Sequence, residues 1–226
     1  MLGPYQRVKL TVMALRHNLT QQVLAESFDI SQATACRIIS AYTSLIADAP
    51  GHSVPAVEDI DPTATLIIDG TVLACWDWKD TPGRFSGKYR KTGLNVQVAC
   101  TPSGAIAWVS DPLPGSVHDA AALRASGLLD VPPQDLPGGQ APPTHIGDKG
   151  YTGLGMITPV KKLPGPPLHE TDKAFNTSIN RIRYVAERAI ANLKTWRTLH
   201  TGYRGPIQTF PTTITAILAL TFTYTP

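Results

Sequence analysis

Two short segments of this chain run apolar, β-branched residues straight into an acid: Thr65-Leu66-Ile67-Ile68-Asp69-Gly70-Thr71 and Thr144-His145-Ile146-Gly147-Asp148-Lys149-Gly150-Tyr151. Each reads as a strand delivering a carboxylate at its end. A third acid, Glu187, sits within Asn180 to Lys194, where apolar residues recur at helical spacing. Carboxylates are hard oxygen donors suited to magnesium or manganese. Two such ions about 3.5–4 Å apart can activate an attacking oxygen and stabilise a leaving one at a phosphodiester. Asp69, Asp148 and Glu187 together would therefore support divalent-metal catalysis.

Each acid also has a plainer role open to it. Asp69-Gly70 and Asp148-Lys149-Gly150 are ordinary turn sequences after a strand. The functional reading gives Gly70 a purpose, since a residue without a side chain lets substrate backbone come close. On the helix, Asn180, Arg183, Glu187 and Lys194 share one stripe, while Ile182, Val185, Ala186, Ala189, Leu193 and Trp196 occupy the other side. An exposed Arg183–Glu187 pair at i, i+4 would contribute only about 0.2–0.5 kcal/mol. Ahead of a further helix, His118 could orient a phosphate or a metal-bound water, and Asp119 is placed to act as an N-cap. Trp76 and Trp78, on either side of Asp77, could stack on bases or simply pack.

The elements that must position these residues follow from periodicity and breakers. Residues 5 to 47 contain no Pro or Gly and read as three helices, Tyr5 to His17, Thr20 to Ser27 and Ser31 to about Ala47, with Thr20 and Ser31 as N-caps. Leu24, Ala25, Phe28, Ile30, Ile38 and Ile39 have the spacing of a helix-turn-helix, which would expose Ser31, Gln32, Thr34 and Arg37 to base edges or phosphates. Many helical hairpins with this pattern bind nothing. Residues 48 to 64, rich in Pro, Gly and acids, read as a linker. Beyond it, Leu94 to Cys100 and Ala105 to Val109 form a hairpin across Thr101-Pro102-Ser103-Gly104, and with Thr65 to Ile68 an antiparallel trio. A short helix over Asp119 to Ser126, a Pro/Gly loop over Pro132 to Pro143, a strand at Thr144 to Ile146 and a helical C-terminus complete an α/β class.

Composition sets the setting. The 226 residues are 42% hydrophobic and 16% charged, enough for a sizeable core. Cys36, Cys75 and Cys100 are odd in number and far apart, so neither a disulfide framework nor a thiolate zinc site is indicated, and a reducing cytoplasm is expected. The N-terminus lacks a secretory h-region, and Ile214 to Phe222 is too short and threonine-rich to span a bilayer. The net charge of +3 is modest, but its distribution is uneven. Lys79, Arg84, Lys88, Arg90 and Lys91 form one basic cluster, and Arg181, Arg183, Arg188, Lys194, Arg197 and Arg204 surround Glu187. Both flank proposed ligands, as phosphate-neutralising side chains would.

In order along the chain, these pieces resemble the DDE-superfamily transposases of bacterial insertion sequences, in the branch related to Harbinger transposases. The resemblance is carried by Asp69-Gly70-Thr71, Ser86-Gly87-Lys88 running into Gly93-Leu94-Asn95-Val96-Gln97, Gly115-Ser116-Val117-His118-Asp119, Gly147-Asp148-Lys149-Gly150-Tyr151, Thr158-Pro159-Val160-Lys161-Lys162, Phe175-Asn176, and Arg183-Tyr184-Val185-Ala186-Glu187-Arg188 ahead of Leu193-Lys194. It implies a ribonuclease H-like catalytic domain over 65–226, a helix-turn-helix over 1–47 and a linker over 48–64. It further implies Asp69, Asp148 and Glu187 as catalytic metal ligands for Mg2+ or Mn2+, with two ions bound and His118 and Asp119 as auxiliaries. Ser31, Gln32, Thr34, Arg37, Lys88, Arg90, Lys91, Arg183 and Lys194 are the expected DNA contacts. The partners implied are double-stranded DNA, as terminal inverted repeats and target, and a second copy of the chain, in a bacterial cytoplasm at the nucleoid. The chain starts almost at the first helix, where members commonly carry more sequence, so a shortened copy is one reading. A DNA-binding protein without nuclease activity and a phosphoesterase of small substrates are the competing functions.

Overall fold

A computed structural model describes residues 2–49, 54–76, 83–130, 136 and 142–224. Asp77, Trp78, Lys79, residues 50–53 of the expected linker and most of the loop over 132–143 lie outside the described residues. The chain divides into two compact units, Met1–Val54 with Leu73–Trp78 and Asn192–Pro226, and Pro55–Val72 with Lys79–Ala191.

The first unit is helical. Helices α1 (Pro4–His17), α2 (Gln21–Ser27) and α3 (Gln32–Asp48) form as their caps dictate: the Thr20 hydroxyl accepts from Val23 N–H, and the Ser31 hydroxyl from Thr34 N–H. Asn18 ends α1 in the left-handed conformation and turns the chain. Leu10, Ala14 and Leu24 form the buried centre, against which Phe28, Ile30, Ile38 and Ile39 pack. Helices α6 (Arg197–His200) and α7 (Phe210–Tyr224), which follow α5, belong to this first unit; α7 packs on α3 and α6 on α1. Helix α7 is apolar and buries Phe210, Ile214, Ile217 and Leu218, so it is a core helix. Among the described residues no helix is long and apolar enough to cross a membrane.

The second unit holds the sheet. Strand β3 (Lys91–Cys100) is its spine. Strand β1 (Ile67–Ala74) lies on one side; β2 (Phe85–Ser86), β4 (Ile106–Val109) and β5 (Leu113–Pro114) all pair antiparallel with β3. The expected hairpin is therefore present, with a register shift at Ala99/Cys100. The expected strand at Thr144 to Ile146 is reduced to bridges in which Ile146 pairs parallel with Ile67 and with Ile157. Those bridges still carry Asp148 to the sheet beside the start of β1.

Helix α5 (Glu170–Leu193) covers this sheet. Its Ala186 and Ala189 pack with Ile67 and Cys100, because small residues let helix and strand backbones approach. Another cluster gathers Leu66, Ile68, Ala99, Trp108, Leu123 and Tyr151, with Leu66 just before β1, Ile68 within it and Leu123 from helix α4 (Asp119–Ala125). Near the start of α5, buried Asn176 grips the backbone of Val160 with both ends of its amide, at 2.7 and 3.1 Å. Replacement by Ala leaves two backbone groups without partners. Asn176→Ala should therefore cost about 2 kcal/mol in denaturant unfolding; an unchanged midpoint would contradict this clamp.

Candidate active site

Asp69 is not at a strand end. It is the third residue of β1, so its carboxyl is fixed by a strand whose neighbours are almost all buried. Desolvation is the dominant effect: burial pushes the Asp69 carboxyl up to about 6, and nearby Asp148 pushes the same way. Arg183 and Lys88 oppose this but do not cancel it. The Arg183 guanidinium stands 3.9 Å from Asp69 Oδ2, too long for a hydrogen bond, and Arg183 Nε is buried without a partner among the described residues.

Asp148 arrives on a different segment. It caps the 3-10 turn Lys149–Tyr151, its Oδ1 accepting from Gly150 N–H at 2.6 Å while Oδ2 lies 3.8 Å from Lys88 Nζ. The turn role of Asp148 is thus met through Oδ1, and Oδ2 is left facing Lys88.

Asp119 departs most from expectation. His118 is the N-cap of α4, its Nδ1 accepting from Ala120 N–H at 3.2 Å, and it is exposed. Asp119 is instead buried, its Oδ2 taking a 2.6 Å bond from Lys88 and its Oδ1 a 2.9 Å bond from Asn95. Gly70 is required by this packing: a Cβ there would lie 2.5 Å from Asp119 Oδ1. Asn95 is bonded by Gln97, which accepts from the fully buried Tyr151 hydroxyl at 2.6 Å, while the Tyr89 hydroxyl donates to Gly70 O. These four residues were not singled out above. The legible signal was the alternation Asn95, Gln97 inside an apolar strand, which puts two amides on one buried face.

The expected phosphate contacts divide. Lys88 and Arg183 are engaged with carboxylates. Burial alone would lower the Lys88 ammonium, but its bond and charge contact with Asp119 outweigh that, and the net shift is upward. Arg90 and Lys91 are exposed. Lys194 is half-buried at the end of α5. In the helical unit Ser31, Gln32 and Arg37 are exposed and Thr34 is half-buried; the Ser31 and Thr34 hydroxyls bond each other at 2.8 Å, and Arg37 reaches Thr34 at 3.3 Å. Trp76 is exposed with the Arg204 guanidinium over its ring.

Glu187 is exposed on α5 and forms no ion pair with Arg183 among the described residues. Among the described residues no three His, Cys, Asp or Glu side chains converge as a metal-holding group. Glu187 lies one turn of α5, about 5.4 Å along the axis, from the arginine that reaches Asp69. The cluster of Asp69, Asp119 and Asp148 against Lys88 and Arg183 keeps a formal excess of one negative charge. Its hard oxygen donors, one of them desolvated and loosely paired, fit an added cation.

A charged carboxylate cluster on a mixed sheet, alongside a separate unit carrying a helix-turn-helix pattern, describes an enzyme acting on nucleic acid. A family model described as "DDE superfamily endonuclease" matches residues 68–221, and one described as "Helix-turn-helix of DDE superfamily endonuclease" matches residues 2–51. The chain belongs to the DDE superfamily endonucleases. It is 28% identical over 194 residues to a protein named as the transposase for insertion sequence element IS112 of Streptomyces albus G, covering 85% of this chain and 70% of that one. It is 24% identical over 213 residues to one named as the transposase for element IS702 of Microchaete diplosiphon, covering 88% and 72% respectively. No solved structure gives a significant match.

The raised Asp69 has a measurable consequence in the metal-free chain. The folded carboxyl holds its proton to about 6, against an ordinary value of 3.8, so its contribution to stability is complete below 3.8 and is lost as pH rises through about 6. Asp69→Asn should remove this loss. In EDTA at pH 7.5 it should be more stable than the parent by roughly 2 kcal/mol, with the difference vanishing below pH 4. A variant less stable than the parent at pH 7.5 would refute the account of Asp69.

Proposed function

We propose that this endonuclease is the transposase of a bacterial insertion element, cleaving DNA at the element's ends and joining the freed 3′ hydroxyl to target DNA. The observation that carries the reading is the meeting of Asp69 and Asp148, from separate segments, in a cluster short of positive charge. The match to helix-turn-helix and endonuclease families in one chain, and the printed names of the two relatives, point the same way.

In this reading residues 65–226 form a ribonuclease H-like catalytic domain in which Asp69 and Asp148 would hold divalent cations, Mg2+ or Mn2+. Glu187 supplies a further oxygen once α5 and its side chain adjust. Bound there, the ions would polarise the scissile phosphate and favour the attacking hydroxyl. The protein's own part is placement. Asp69 on β1 and Asp148 on its 3-10 cap are held by backbone, so the ligand oxygens are preorganised. Arg183, which is only loosely paired with Asp69, would contact phosphate, and exposed Arg90 and Lys91 would hold the flanking strand. Ser31, Gln32, Thr34 and Arg37 at the start of α3 would meet the terminal inverted repeats, with Lys194 as a further phosphate contact. His118 has only its capping role. The protein would act as a homodimer on DNA, in the cytoplasm at the nucleoid.

The unassembled position of Glu187 favours one competing reading, a DNA-binding relic that has lost cleavage. Cleavage of a duplex carrying the element's own ends separates the two. Asp69→Asn and Asp148→Asn should each lower the Mg2+-dependent rate by about a thousandfold, several kcal/mol of lost transition-state stabilisation, and leave duplex binding intact. Glu187→Gln should do the same. Parent protein that binds the ends but never cuts them would establish the relic; parent cleavage unaffected by Glu187→Gln would remove Glu187 from the site.

A further inference from the structure

Asp119 is the one acidic residue buried among the described residues, and both its oxygens are spoken for. Its position is fixed from several directions. Asn95, itself bonded to Val117 O at 2.8 Å and to Gln97, holds Oδ1; Lys88 holds Oδ2; and Gly70 leaves no room for displacement toward β1. A carboxylate so committed is poorly placed to ligate an ion. What it does control is Lys88. That ammonium lies 2.6 Å from Asp119 and 3.8 Å from Asp148, and it also rests over the Tyr89 ring at 4.9 Å. Only a short movement would turn the 3.8 Å approach into a direct charge-assisted bond of about 2.8 Å, and Asp148 would then be closed by an internal cation.

We propose that Asp119 is a positioning residue that acts through Lys88, holding the ammonium back from Asp148 so that this carboxylate remains open to a divalent cation. The proposal rests on the reading of Asp69 and Asp148 as cation ligands, and it assigns Asp119 a role opposite to ligation. Without its negative charge, the amide of Asn at 119 would still meet Asn95 but would repel Lys88 toward Asp148. Lys88 would then compete with the metal.

The test is Mn2+ binding to the full-length protein without DNA, followed by electron paramagnetic resonance. Asp119→Asn should weaken binding roughly tenfold or more, the scale of outer-shell effects on metal affinity. Adding Lys88→Met to that variant should return affinity to within about threefold of the parent, since the competitor is gone. Unchanged affinity in Asp119→Asn would overturn the proposal. So would weakened affinity that Lys88→Met fails to restore, because Asp119 would then be a ligand or only a structural support. Failure of the underlying site shows separately, as parent and Asp69→Asn proteins that bind Mn2+ alike. A measurement on the parent stands apart from any folding defect: in 15N spectra the Lys88 ammonium should give a slowly exchanging signal that persists when Mg2+ is added. Its disappearance on Mg2+ addition would mean that the metal expels Lys88 and that Asp119 does not hold it.

Discussion

The structure around the site depends on one unfavourable fact: a carboxylate, Asp69, is largely desolvated within a strand with too little positive charge to satisfy it. Burying an ionised carboxyl is costly unless it is closely paired. Arg183 comes only to 3.9 Å and Lys88 is bonded elsewhere, so the carboxyl is held partly in its neutral form. A fold selected only for stability would replace such a residue. In the proposed reading, its place in the strand that carries Ile67 and Ile68 into the core is that of a cation ligand.

The polar network behind the cluster serves the same constraint. Tyr151, Gln97 and Asn95 form a buried relay whose last member fixes Asp119, and Asp119 in turn fixes Lys88. Buried polar groups that satisfy one another rigidify a core, and here they restrict where a cation from the protein can stand. The ammonium and guanidinium that a sequence places beside phosphates are found in this state against carboxylates. In the proposed reading Arg183 would turn to phosphate once the cluster is neutralised, while Lys88 would stay on Asp119.

Local rules were legible and long-range ones were not. Thr20 and Ser31 cap their helices as hydroxyl residues before a periodic run should, and the turn at Thr101 to Gly104 joins β3 to β4. The apolar side of α5 was readable in Ala186, Ala189 and Leu193. At 118 and 119, two adjacent residues could each cap α4. Lys88 and Asn95, distant in sequence, take Asp119 into the core and leave the cap to His118. Strands β2 and β5 are two residues each and carry no periodic signal, and the packing of α7 on α3 joins the two ends of the chain. For the candidate site, the sequence pattern marked Asp69 and Asp148 as candidates but not which side-chain cations would stand beside them. Glu187 shares a stripe with Arg183, yet helical periodicity does not say which of the two reaches the strand.

A crystal grown with Mn2+, examined for anomalous scattering, tests the central claim most directly. The account predicts a peak in contact with both the Asp69 and Asp148 carboxylates, with the Arg183 guanidinium moved away from Asp69 and the Lys88 ammonium still on Asp119. A crystal saturated with Mn2+ in which no peak joins the two aspartates and Arg183 keeps its place would contradict it.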